Sequence, residues 1–228
     1  RNEFERGENS PQRVLDQHIW SMAFQAHPYH HSTIGWKSDI ENMPIEKLKE
    51  FYDIYYWPNN ATVSIVGDVD TKEGLALVKK YFGKIRRSKH KIPAVYTTEP
   101  EQEGQRRVML NRAGQQGVVG VAFKSPSVTD EDMAPMIVLG QVLGSGKNSR
   151  FYKQITDKGL VTSISASPSK FRYEGLFEIY ASLTPGTKHE KVEALILEEL
   201  EEVKNNGVKE KELQKFFNLS YGEKTPSK

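Results

Sequence analysis

FYDIYYWPNNATVSIVGDVD, residues Phe51 to Asp70, is the stretch on which the fold turns. Ile45, Leu48, Phe51, Tyr52 and Tyr55 recur at helical spacing, so the helix that runs into it carries one apolar face. Trp57 stands before Pro58, which pushes it out of the helical region and ends the helix. Asn59 and Asn60 suit a turn, because their side chains bond local backbone and tolerate left-handed conformations. Ala61 to Val66 is almost wholly apolar or β-branched and is predicted to be a central strand closed by Gly67. A second helix is predicted over Thr71 to Phe82, with Leu75, Val78 and Phe82 inward and Gly83 past its end. Physics alone makes this an α/β packing unit and gives it no chemistry.

Upstream, Ser10 reads as an N-cap with Pro11 in the first helical position, and Val14, Leu15, His18, Ile19 and Met22 form one face. His27 to Lys37 is an irregular loop broken by Pro28 and Gly35. Downstream, Lys84 to Gly104 is polar and carries Pro93 and Pro100, which makes it the best boundary in the chain, with room for a short strand near Ala94 to Thr97. Strands are then predicted at Val108 to Leu110 and Val118 to Phe123, and helices at Asp132 to Leu143 and Ser149 to Thr156. Leu160 to Ser167 and Leu176 to Leu183 alternate at period two, as half-buried antiparallel strands do. Thr187 and Glu190 suggest a capping box opening a last helix that Gly207 stops.

This grouping predicts an α+β fold: two related domains, each with helices packed on a mainly antiparallel sheet, the first truncated at its N-terminal side. The expected division is 1–90 for the first domain, 91–104 for a linker, 105–218 for the second domain and 219–228 for a polar tail.

The 228 residues suffice for a sizeable core. Lys+Arg number 32 against 30 Asp+Glu, and a net charge of +2 gives no long-range pull toward nucleic acid or an anionic membrane. The basic run from Lys84 to Lys91 has no aromatic platform interleaved with it and reads as a solvated connector. The chain has no cysteine, which excludes disulfides and thiolate chemistry, and no run long enough for a membrane span. It begins at Arg1 inside a predicted helix without an initiator Met and is read as a fragment, so the lack of a targeting signal says nothing of the parent.

The ordered set His27-Pro28-Tyr29, Ile34-Gly35-Trp36, Phe51-Tyr52, Tyr56-Trp57-Pro58-Asn59-Asn60-Ala61 (Trp57 being the variable position), Val66-Gly67-Asp68-Val69-Asp70, Ser149-Arg150-Phe151-Tyr152 and Gly159-Leu160 resembles the insulinase/pitrilysin family of zinc metallopeptidases, mitochondrial processing peptidase among them. The resemblance covers about residues 1 to 215. The family's catalytic signature is H-x-x-E-H on a helix, two His for zinc and a Glu as general base. That motif is absent here, and adjacent His30 and His31 cannot replace it, because neighbours on a helix do not share a face. The resemblance implies that this chain holds no catalytic residue and that Glu3 stands at the family's third zinc-ligand position in the intact parent, with Glu5 as the competing register. Without the resemblance Glu3 would read as a solvated carboxylate near a helix end.

Other candidates read as structure. His27, His30 and His31 lie close enough to chelate metal, yet Pro28 stiffens the loop and no acid sits between them, which favours a loop anchored by His27 and Tyr29. Gly144-Ser145-Gly146-Lys147 lacks the phosphate-loop pattern, since position 141 is Gln and 148 is Asn, and it follows a helix rather than a strand. The family's substrate-handling Arg and Tyr fall near Ile155 to Thr162, where this chain is short of the spacing and has Thr162 in place of Tyr.

The resemblance therefore implies a zinc metalloendopeptidase parent that hydrolyses peptides in a closed chamber, with zinc bound there and none bound tightly by this chain. Expected partners are a peptide or small protein substrate and other domains of the same chain or a homologous subunit. A bacterial periplasmic or cell-envelope location is suggested by the same resemblance. The alternative is a non-catalytic structural or peptide-binding homologue, and a nucleotide-binding α/β protein fails on its loop chemistry.

Overall fold

A computed structural model describes residues 2–114, 116–214 and 217. In chain order the elements are helices α1 (Asn2–Glu8), α2 (Pro11–Ala23), α3 (Lys37–Asn42), α4 (Ile45–Tyr55) and α5 (Thr71–Phe82), strand β1 (Val118–Ser125), helix α6 (Met133–Gly144), a π-helical turn (Tyr152–Thr156), strands β2 (Val161–Pro168) and β3 (Gly175–Leu183), and helix α7 (His189–Asn206). The described residues separate into two compact units, residues 34–98 and residues 2–33 with those from 99 onward. Compactness thus groups 2–33 with the later residues, whereas the expected division placed them in a domain of 1–90. The polar tail lies outside the described residues.

Unit 34–98 is helical. α4 ends at Tyr55, and Trp57 is extended at φ −131° before Pro58, as the proline requires. The Asn pair fastens the turn: Asn60 Nδ2 donates to the Tyr55 carbonyl at 2.8 Å, and Asn59 Oδ1 accepts from Ser88 N at 3.0 Å. Asp70 caps α5 by accepting from Lys72 N and Glu73 N at 2.9 and 3.0 Å.

The strand expected at Ala61 to Val66 does not form, and Ala94 to Thr97 is likewise unpaired. A strand exists only through its ladder, and no described segment supplies one here. The apolar residues that suggested a central strand are uncovered instead, with Val66 95% exposed. The apolar face of α4 is present but also open, since Ile45, Leu48, Phe51 and Tyr52 are all exposed. A sheet under one helix layer is what such a face fits.

The unit formed by 2–33 and the described residues from 99 onward holds the sheet. Its order is β1-β3-β2, antiparallel throughout, with Val121 opposite Ile179 and Ile179 opposite Ala166. Alternate β3 side chains Phe177, Ile179, Ala181 and Leu183 enter the core with Leu143 of α6, Phe151, Ile155, and Val192 and Ile196 of α7. α6 lies tight on β2: a Cβ at Gly144 would stand 2.5 Å from the Ala166 nitrogen. The other β3 face, with Glu178 and Tyr180, takes α2, and the missing side chain of Gly120 admits Ile19 and Leu15. The chain is α+β, as expected. Val108 to Leu110 forms no ladder, although its burial alternates. The capping box at Thr187 is not made, because α7 starts at His189 with Lys188 as its cap and no side-chain bond.

Candidate functional site

Glu3 lies in the first turn of α1 and is exposed. Glu5 is on the same helix, but two residues turn about 200°, so only one of the two faces a given ligand. Zinc needs at least three protein donors. No three His, Asp or Glu side chains converge among the described residues, so these residues do not assemble a zinc site.

The His27 loop is an aromatic anchor. His27 Nδ1 accepts from Tyr29 N at 3.2 Å, and its ring meets Tyr29 and Tyr173 edge-on at 4.3 and 5.2 Å. Burial lowers the His27 pKa, Lys124 lowers it further, and Glu99 opposes both. Glu99 holds the loop by accepting from Gln25, Ala26 and His27 N at 2.6, 2.9 and 2.9 Å. Burial would raise its pKa, yet those three donors and Lys124 hold it below the usual carboxylate range. Lys124 donates to the Ala23 carbonyl at 2.7 Å and sits 3.3 Å over the Phe24 ring. The sequence reading missed Glu99, because nothing marks one Glu in a polar stretch. His30 and His31 meet edge-on at 5.0 Å and assemble no further donors among the described residues.

The glycine-rich turn closes on itself. Gly146 takes φ +72°, and its carbonyl accepts from Ser149 N at 3.1 Å and Ser149 Oγ at 2.8 Å. Beside it is a cavity of about 220 Å³ lined by Lys147, Tyr152, Thr156, Thr162 and Ile164, among others. Thr162 sits at an irregularity in the β2 register, donates to the Ser182 carbonyl at 3.2 Å and accepts from Gln116 at 3.0 Å. Thr156 lies in the π-helical turn with its hydroxyl enclosed. Thr156 and Thr162 bring no charge to this cavity, and the charged group in its lining is Lys147.

Arg150, next to that turn, is 10% exposed and holds the C-terminal elements. It grips Glu212 with two bonds of 2.9 and 2.8 Å, reaches Glu199 at 3.2 Å and donates to the Gly207 carbonyl at 3.0 Å. The Arg150 bonds hold the Glu212 carboxyl below its ordinary range.

Comparison with known proteins fits this arrangement. Residues 42–218 match the family model described as the peptidase M16 inactive domain. The chain is 32% identical over 213 residues to the zinc protease PqqE of Helicobacter pylori, an alignment that covers 92% of this chain and 48% of that protein. The crystal structure of a protease from Helicobacter pylori superposes with a TM-score of 0.90 at 30% identity, over 96% of this chain and 54% of that one. A peptidase M16 inactive domain from Pseudomonas fluorescens has the same fold, with a TM-score of 0.80 at 20% identity over 98% and 54% of the two chains. The chain thus spans about half the length of the relatives it matches.

Proposed function

Because this chain belongs to the M16 (insulinase/pitrilysin) family of zinc peptidases, we propose that it is a non-catalytic portion of a zinc metalloendopeptidase, forming chamber wall and lending one zinc ligand, Glu3. The reading rests on the match of residues 42–218 to the family's inactive domain. It is supported by a donor set too small for zinc within the described residues. The remaining zinc ligands and the general base belong to other parts of the whole protein, which takes a peptide or small protein as substrate.

A second reading, a peptide-binding or structural homologue without activity, is favoured by one observation. Thr162 stands where a substrate-handling Tyr is expected, and its hydroxyl is committed to Ser182.

The test is zinc content and peptide hydrolysis of Glu3→Gln and Glu5→Gln in the full-length protein. Glu3→Gln should lower both, and Glu5→Gln should change little. Loss of metal in Glu5→Gln alone shifts the ligand to that residue. Unchanged metal in both overturns the ligand assignment and favours the second reading.

A further inference from the structure

α2 is fastened to the sheet face opposite the core by a cluster of two carboxyls, a phenol and an indole. The Tyr180 hydroxyl lies 2.8 Å from Asp16 Oδ1 and 3.2 Å from Glu178 Oε1. Trp20 Nε1 donates to the same Glu178 oxygen at 2.9 Å. The Trp20 ring is itself stacked on Phe24 at 5.4 Å and packed against Phe171 at 5.4 Å. Tyr180 has one hydroxyl proton and two carboxyl oxygens within reach, so it satisfies only one of them. With both carboxyls ionised, the second is left facing a like charge.

Among the described residues, the groups acting on the Glu178 charge are Asp16, Trp20 and Tyr180, and none of them is a cation. From α2 the facing group is Asp16, and from β3 itself it is Tyr180. β1 places Ala122 opposite Glu178, and its lysine, Lys124, is engaged with the Ala23 carbonyl and the Phe24 ring. β2 places Ser167 opposite Glu178 and Ser165 opposite Tyr180.

We propose that Glu178, facing Asp16, forms a proton-gated latch, in which a proton on Glu178 keeps α2 on the β1–β3 face and its loss frees the helix. Burial first, and the Asp16 charge second, raise the Glu178 pKa to about 7. A freed Glu178 titrates near ~4.3. Between those values the docked form binds the more protons, so docking is favoured at mildly acidic pH and weakens as pH rises toward 7, by up to about tenfold per unit. This latch stands apart from the zinc reading and holds whichever functional role is correct.

Hydrogen exchange of the full chain from pH 5 to 8, corrected for the intrinsic rate, tests it. Protection of α2 amides should fall steeply between pH 5 and 7 while β3 amides stay protected. Glu178→Gln keeps an acceptor for Trp20 and should flatten the α2 profile. Asp16→Asn removes the like charge but leaves Glu178 buried, so it should make the slope shallower without abolishing it, which gives a second test should Glu178→Gln fail to fold. Four results overturn the latch: a flat wild-type profile, a slope that survives in Glu178→Gln, a slope unchanged in Asp16→Asn, or β3 opening together with α2.

Discussion

Replacing Arg150 with Met removes the cation that Glu199 and Glu212 share and keeps most of the side-chain volume. Four hydrogen bonds are lost, and two carboxylates remain beside each other. Breaking a buried ion pair by deleting one partner costs ~3–5 kcal/mol. Here Arg150 and Glu199 are 10% and 11% exposed but Glu212 is 26% exposed, so solvent trims the loss to about 2–3 kcal/mol. In a chain of this size that lowers Tm by about 5–10 °C. The cost should depend on pH. The Glu212 pKa is depressed in the folded state, so its contribution is full above the unfolded value near ~4.3 and disappears as pH falls through the lower folded value. Urea titrations of wild type and Arg150→Met at pH 7 and again near pH 2.5 measure both effects. Arg150→Lys keeps the charge without the fork and should recover only part of the loss. A pH 7 difference under about 0.5 kcal/mol, or one that does not shrink at all as pH falls, would refute the argument.

Gly144→Ala should destabilise despite the better helix propensity of Ala, worth about 1 kcal/mol, because the new Cβ meets the Ala166 backbone. A higher Tm in that variant would show that α6 and β2 are not in close contact. Glu99→Gln should speed hydrogen exchange at Gln25, Ala26 and His27 several-fold, because the charged acceptor of three backbone donors is gone. Since the Glu99 pKa is depressed, wild type should approach the variant as pH falls below the ordinary carboxylate range. Unchanged exchange in that loop would deny Glu99 its role.

Where an element draws on its own residues, the sequence shows it clearly. Ser10 and Pro11 start α2, Asp70 starts α5 and Gly207 at φ +69° ends α7. β2 and β3 follow from period two alone. Ala61 to Val66 misled because an apolar run records a wish for burial, whereas a strand needs neighbours that no local pattern reports. The Asp16, Glu178 and Tyr180 cluster was hidden for the opposite reason. Glu178 and Tyr180 fall on the alternate positions of β3, which read as a solvent face until α2 is seen lying on it. The anchor at His27 was legible from its proline and aromatic residues, and its fastening by Glu99, far along the chain, was not.

The chain belongs to a zinc peptidase family, and the central proposal is that it has no complete zinc site and no activity of its own. Zinc titration of the purified chain, with hydrolysis of an unstructured peptide followed in the same samples, tests it most directly. No stoichiometric zinc binding and no chelator-sensitive cleavage are predicted. Tight binding of one zinc per chain, with cleavage abolished by chelator and by Glu3→Ala, would contradict it.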